Sequence, residues 1–267
     1  MKAYEKVKLA RDKKRPGIKE YTQNLFTDFT ELCGDRLGEE DPSILGGIAF
    51  FEGTPVTVIG HCKGKTLEEN LAVNFGMPEP SGYRKALRLM KQAEKFHRPV
   101  ITFIDTPGAY PGIEAEENGQ SIAIAENLKE MSRLKTPVLS IVTGEGNSGG
   151  ALAIGVANRV YMLENAVYCV LSPEGFASIL FKDATRKEEA CEVMKMTAAE
   201  LYAAGLCDGV IPEPAGGAQK DPDYVYEGIR GVIRRELKRM GELSGEELAE
   251  ERYLKFREIG REYVCVE

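Results

Sequence analysis

Apolar and polar positions change period along this chain, and the changes mark its elements. Residues 3 to 14 set Val7 and Leu9 among many charges, a weakly amphipathic helix that Pro16-Gly17 stops. Thr22 to Leu32 carries Leu25, Phe26, Phe29 and Leu32 at three- and four-residue spacings, which predicts a second helix broken by Cys33-Gly34-Asp35-Arg36. From Ile44 the pattern becomes that of strands. Ile48 to Phe51, the turn Glu52-Gly53-Thr54-Pro55 and Val56 to Ile59 predict a hairpin. Ser81 then caps a helix with Tyr83, Ala86, Leu87, Met90 and Ala93 on one side and Arg84, Lys85, Arg88 and Lys91 on the others.

Two short apolar runs behind prolines follow, Pro99 to Asp105 and Pro137 to Val142, each suited to a strand buried on both faces. Each run leaves through a glycine loop. The first is Thr106-Pro107-Gly108-Ala109-Tyr110-Pro111-Gly112, whose prolines donate no amide and whose glycines expose theirs. A helix from about Asn118 to Leu134 comes next, with Ile122, Ala125, Leu128 and Met131 directed at the sheet. The second loop is Thr143-Gly144-Glu145-Gly146-Asn147-Ser148-Gly149-Gly150, running into the tight apolar helix of Ala151 to Ile154. Strand, glycine loop, helix repeated in this way predicts an α/β sheet with its ligand site at the carboxyl ends of parallel strands. Two readings of the second loop stand side by side: small residues that let a helix pack close to a sheet, or free amides at a helix start that receive a ligand oxygen.

Beyond this corner, Arg159 to Met162 and Ala166 to Val170 read as strands, and Ser172-Pro173-Glu174 as a capped helix start. Thr197-Ala198-Ala199-Glu200 and Ser244-Gly245-Glu246-Glu247 are capping boxes. Pro212 to Asp223 reads as a loop, and the charged helices after it as peripheral or facing a partner. The expected organisation is an N-terminal helical arm over residues 1–40, a core over 41–215 and C-terminal helices over 216–267.

Composition narrows the chemistry. A net charge of −7 argues against nucleic acid as the main partner. The basic run Lys8, Arg11, Lys13, Lys14 and Arg15 reads as a solvated helix face. The six cysteines, Cys33, Cys62, Cys169, Cys191, Cys207 and Cys265, stand singly, so no metal site is expected. Met1 to Lys6 has no apolar signal-peptide region and no apolar run reaches membrane-spanning length, so the expectation is a cytoplasmic protein away from membranes. Gly146-Asn147-Ser148-Gly149-Gly150 fits the G-x-S-x-G elbow of serine hydrolases, and His61, Asp105 and Ser148 lie in a triad order. That order belongs to all-β double barrels, and this pattern supplies no such scaffold.

The loops together carry a further signal. Gly34-Asp35-Arg36, Ile59-Gly60-His61, Asn74-Phe75-Gly76-Met77-Pro78, Gly82-Tyr83-Arg84-Lys85-Ala86-Leu87, Ile101 to Gly112, Gly149 to Gly155 and Ser172-Pro173-Glu174-Gly175 occur in this order. In that order the chain resembles the family of bacterial acetyl-coenzyme A carboxylase carboxyltransferase α subunits over nearly its whole length. The resemblance implies a crotonase-like fold, a right-handed spiral of β-β-α repeats with peripheral N- and C-terminal helices. It implies an α2β2 heterotetramer with a β subunit of the same fold, working with a biotin carboxyl carrier protein and a biotin carboxylase. The reaction implied moves CO2 from carboxybiotin to acetyl-coenzyme A, giving malonyl-coenzyme A for fatty acid synthesis. Zinc would sit on the β subunit only, and ATP would be used by the separate carboxylase.

By the same resemblance the backbone amides of Gly149 and Gly150 are the catalytic donors to the biotin ureido oxygen. Thr106, Pro107, Gly108, Ala109, Tyr110, Pro111 and Gly112 line that pocket with Gly146, Asn147, Ser148 and Ala151. Asn147 departs from the glycine of some relatives. Lys63, Lys65, Arg84 and Lys85 are open to two readings, steering of coenzyme A phosphates or solvated surface charge. Two rivals stand against this function. A stand-alone crotonase-type hydratase or isomerase would need its own placed carboxylate, with Glu114, Glu116, Glu117 and Glu145 as candidates; a non-enzymatic scaffold subunit would need none.

Overall fold

The hairpin and the two proline-led strands form the middle of one mixed sheet in the computed structural model, which describes residues 1–261; Cys265 lies outside the described residues. The strands are β1 (Thr27–Glu31), β2 (Ile44–Phe51), β3 (Thr54–His61), β4 (Val100–Thr106), β5 (Val138–Asn147), β6 (Arg159–Leu163), β7 (Val167–Cys169) and β8 (Gly209–Ile211). Their order is β1-β2-β3-β4-β5-β6-β8. The first two pairings are antiparallel and those from β3 onward are parallel. β5 serves two neighbours: Leu139 to Val142 pair with β6, and Glu145 to Asn147 pair with β7.

The helices are α1 (Ala3–Ala10), α2 (Ile18–Leu25), α3 (Leu67–Ala72), α4 (Pro80–Lys95), α5 (Ile113–Glu117), α6 (Gln120–Arg133), α7 (Ser148–Leu152), α8 (Pro173–Phe176), α9 (Lys187–Met194), α10 (Ala198–Ala203), α11 (Pro222–Met240) and α12 (Gly245–Glu258). They cover both faces of the sheet, which is why every residue of β5 is buried and why β4 reads as one apolar run. On one face Tyr21 of α2 stacks on Phe103 of β4 at 5.1 Å and meets Tyr226 of α11 edge-on at 5.9 Å. On the other, Leu89 of α4 lies so close to β2 that a Cβ on Gly46 would meet it at 2.4 Å.

Four expectations need correction. The stretch from Thr22 to Leu32 is a helix only to Leu25; Thr27–Glu31 is strand β1, so the N-terminal arm is not all helical. Its helical spacing is a coincidence of sequence that pairing with β2 overrides. In α6 the buried positions are Gln120, Ala123, Asn127 and Met131; Met131 and the half-buried Leu128 face the core as expected, while Ala125 is exposed and Ile122 is 65% exposed. On the buried face the Asn127 side chain donates to the Ala153 carbonyl at 3.0 Å, while Met131 joins the main core and Ala123 packs with Tyr83 and Ala153. Of the basic run, Lys8, Arg11, Lys13 and Lys14 are exposed as expected, but Arg15 is buried and donates to both Glu213 oxygens and to the Thr143 carbonyl. Finally, α11 is not peripheral: Val225, Ile229 and Ile233 are wholly buried in the main core.

Candidate active site

β3, β4 and β5 are parallel neighbours, so His61, Thr106 and Asn147 come together at one edge of the sheet. Register fixes the two glycine loops side by side, because Thr106 stands opposite Gly146. Thr106 is buried, and its hydroxyl braces the first loop locally. It donates to the Gly108 carbonyl at 2.8 Å and accepts the Gly108 N–H at 3.0 Å, holding Gly108 at φ 144°. The Tyr110 N–H donates to Pro78 O at 3.0 Å, and Gln120 Nε2 bridges Pro78 O and Tyr110 O at 2.9 Å each. The Tyr110 ring lies over Gly112, where a Cβ would meet it at 2.4 Å, and Pro111 is exposed.

The second loop turns sharply at Ser148, which is exposed at φ 55°. Asn147 is buried beside it and accepts from the Cys169 thiol at 3.0 Å. Gly146 fits against the Tyr168 ring, and Ala151 is fully buried. Gly150 meets the first loop backbone to backbone: a Cβ there would stand 2.5 Å from the Gly108 carbonyl carbon and 2.7 Å from Ala109 N. Gly149 and Gly150 open α7, so neither amide has a carbonyl four residues back within the helix. Among the described residues, no backbone carbonyl outside α7 accepts from either of them. The two sequence-predicted loops are thus brought together, with Gly108 and Ala109 against Gly150 and Thr106 opposite Gly146.

Charge lies just beside this corner. Lys63 Nζ donates to Asp105 Oδ1 at 2.7 Å and Glu145 Oε2 at 3.0 Å. Arg11 takes the other Glu145 oxygen at 2.7 Å and reaches Glu174 at 3.0 Å. Burial alone would raise the Glu145 carboxyl, but Lys63 and Arg11 outweigh it and hold the group below its ordinary value. Burial opposes the Lys63 charge too, and Asp105 and Glu145 overcome it. Arg11, Lys63, Asp105 and Glu145, with Phe75 and Pro107, line a cleft of 260 Å³. A cleft of 550 Å³ lies at the opposite ends of β4 and β5, beside Pro99 and Pro137, away from the edge where parallel sheets place ligands.

Several candidates fall away on this geometry. His61 accepts the Asp105 backbone N–H rather than facing its carboxylate, and that carboxylate is taken by Lys63 and the Glu145 N–H. Among the described residues no hydrogen bond joins His61 to the exposed Ser148, so the triad is not assembled. Glu145 has both oxygens in ion pairs, while Glu114, Glu116 and Glu117 are exposed on α5. Lys65 pairs with Glu20, Arg84 with the buried Asp35, and Lys85 is wholly buried on Glu40 and the Ile44 carbonyl. With Lys63 also paired to Asp105 and Glu145, all four cations have acidic or carbonyl partners, and of them Lys65 keeps a half-exposed side chain. The one group of metal-type donors among the described residues is Glu31, Cys33 and Glu40, all exposed. Sequence reasoning read Arg11 and Arg15 only as surface charge and missed their long-range pairing, Arg11 with Glu145 and Glu174 and Arg15 with Glu213, which leaves no local signal.

Two glycine loops joined at the carboxyl ends of a twice-covered sheet define a crotonase-like α/β protein, and solved carboxyltransferases share this fold. The transcarboxylase 12S structure superposes with TM-score 0.71 at 20% identity, covering 87% of this chain and 43% of that one, so this chain spans under half its length. A Pseudomonas malonate decarboxylase hetero-tetramer in complex with coenzyme A gives 0.65 at 18% identity, covering 83% of this chain and 91% of that chain. At these identities the likeness speaks for the fold. Sequence goes further, since residues 1–260 match the family described as acetyl co-enzyme A carboxylase carboxyltransferase-like. The acetyl-coenzyme A carboxylase carboxyl transferase subunit alpha of Clostridium botulinum (strain Alaska E43 / Type E3) is 58% identical over 257 residues, 96% of this chain and 94% of the relative. That of Alkaliphilus oremlandii (strain OhILAs) is 56% identical over 257 residues, 96% of this chain and 81% of the relative. The chain belongs to the acetyl-coenzyme A carboxylase carboxyltransferase α-subunit family.

Proposed function

We infer that this chain is the α half of a carboxyltransferase that moves CO2 from carboxybiotin, carried on a biotin carboxyl carrier protein, to acetyl-coenzyme A. The observation that carries the reading is the pair of amides at Gly149 and Gly150, free of outside backbone acceptors and pressed against the Thr106 to Gly112 loop. When the N1–carboxyl bond of carboxybiotin breaks, its electron pair stays on the ureido group and charge builds on the ureido oxygen. Fixed donors aimed at that oxygen favour the transition state over the ground state. The freed CO2 is attacked by the enolate of acetyl-coenzyme A, forming the new carbon–carbon bond of malonyl-coenzyme A. The α-proton lost from acetyl passes to the biotin anion, so no side chain of this corner serves as the main base. Consistent with that, Glu145 is locked in two ion pairs.

The enolate is held by the β subunit, which completes the site in an α2β2 cytoplasmic assembly. Ile113, Ile122 and Leu152 support this arrangement, being 78%, 65% and 40% exposed on the helices that flank the corner. Zinc is assigned to the β subunit, and ATP to a separate biotin carboxylase. The chain, the β subunit, carboxybiotin and acetyl-coenzyme A are to be combined and malonyl-coenzyme A measured. Product that needs both proteins supports the reading. Turnover of an enoyl-coenzyme A by this chain alone would overturn it in favour of a hydratase.

A further inference from the structure

One buried side chain at the carboxyl end of β3 has no part in the steps above. His61 is 2% exposed and reaches across the end of β4, where its Nδ1 accepts the Asp105 N–H at 3.4 Å. An accepting Nδ1 leaves the ring proton on Nε2. Nε2 is itself buried and has no hydrogen-bond partner among the described residues. Buried polar atoms are nearly always paired, so an orphan invites a functional reading. The backbone carbonyls of Gly150 and Phe103 approach this ring. Gly150 O is available to it, because the Ile154 N–H, its partner in a continued helix, donates instead to Ala151 O at 3.3 Å. Burial first, and then the nearby Lys63 charge, push His61 down to about 3, so the ring is neutral and offers one acceptor and one donor.

We propose that His61 is a positioning residue for the Gly149–Gly150 corner, its neutral ring tying the Asp105 amide at the end of β4 to the Gly150 carbonyl when carboxybiotin is bound. Gly150 is then fixed by two neighbours, the ring through its carbonyl and the Gly108–Ala109 backbone through its Cα. A donor amide held on both sides keeps its aim while charge develops on the substrate oxygen. This inference rests on the function read above.

The test uses the assembled carboxyltransferase with His61→Leu and His61→Gln in this chain. Leucine keeps bulk without a donor, whereas glutamine places an amide N–H near the position of Nε2. His61→Leu is expected to lower kcat about 10- to 100-fold with the KM for acetyl-coenzyme A unchanged, and His61→Gln to recover a large part. Wild-type kcat in both variants, or an equal loss in both, overturns the proposal. Should the variants fail to assemble, 15N solid-state NMR of the wild-type complex decides, with histidine labelled in this chain only. Two histidines make the spectrum simple to assign. A neutral Nε2–H ring whose Nε2 signal moves when biotin is added supports the proposal; an Nδ1–H ring, or a signal indifferent to biotin, overturns it. If wild-type enzyme makes no malonyl-coenzyme A, the function itself fails, while the tautomer of His61 is still read.

Discussion

Alanine at Gly149 and at Gly150 makes a matched pair of perturbations separated by one residue. Neither glycine has a positive φ, so alanine is conformationally allowed at both. At Gly149 the new Cβ would lie 3.4 and 3.5 Å from methyl carbons of Ile124, an ordinary contact. At Gly150 it would lie 2.5 Å from Gly108 C, 2.7 Å from Ala109 N and 2.9 Å from Gly108 O, all backbone atoms. Contact distances between such atoms are about 3.5 Å, so the corner and the first loop must separate by about 1 Å. A misplacement of that size typically costs about 100-fold in rate, and losing an oxyanion donor about 3 kcal/mol, which agree. Gly150→Ala is therefore expected to lower kcat for malonyl-coenzyme A about 100-fold with assembly intact, while Gly149→Ala keeps most of its activity. The assay is malonyl-coenzyme A formation with the β subunit in excess, and sedimentation to verify assembly. An assembled Gly150→Ala enzyme with wild-type kcat would refute the reasoning.

Arg252 is wholly buried, donating to the carbonyls of Met131, Leu134 and Thr136 and to Asn158 Oδ1. Arg252→Met strands those acceptors and is expected to cost about 3 kcal/mol in urea unfolding, without changing kcat of the folded enzyme. Lys63→Met leaves Asp105 and Glu145 facing each other without their shared cation, with an expected loss of about 3 kcal/mol that adding Glu145→Gln partly restores in the same measurement. Acid should destabilise the chain in two stages. His61 falls from 6.5 when unfolded to about 3 when folded, so the unfolded state binds the extra proton and stability drops as pH falls below 6.5. Burial opposes ionisation of Glu213, but Arg15 holds it below its ordinary 4.5, so its contribution is present above 4.5 and lost at lower pH. A urea midpoint that does not change between pH 7 and pH 5 would contradict the His61 assignment, and one that falls no further between pH 5 and pH 3 than His61 alone accounts for would contradict that of Glu213.

The strands that build the site were readable because burial on both faces leaves a continuous apolar run, as in Val100 to Ile104 and Val138 to Val142. Local chemistry was equally readable: Ser172 caps α8 by accepting the Gly175 N–H at 3.1 Å, and Ser244 caps α12 by accepting the Glu247 N–H at 3.2 Å. Ser81 misled, since Pro80 already opens α4 and the cap position is Glu79. What sequence did not disclose is what distant partners decide. Nothing near Arg15 announces Glu213, and nothing near Lys85 announces the Ile44 carbonyl. In α6 apolar content alone pointed Ile122 inward, whereas the buried face carries Asn127, bonded to the Ala153 carbonyl, with Ala123 and Met131, and leaves Ile122 exposed. The glycine loops were visible as composition. Their contact through Gly150 and Gly108 follows only from the register of β4 on β5.

The donor role proposed for Gly149 and Gly150 can be tested through the ureido group itself. Isotope-edited infrared spectroscopy of biotin labelled with 13C at its ureido carbonyl, bound to the assembled enzyme, reads the hydrogen bonding of that oxygen. A lower carbonyl stretch in wild type than in Gly150→Ala is expected, because two fixed amides polarise the bond in the first and are misdirected in the second. Identical frequencies in the two enzymes, with biotin bound to both, would mean that these amides do not hold the ureido oxygen.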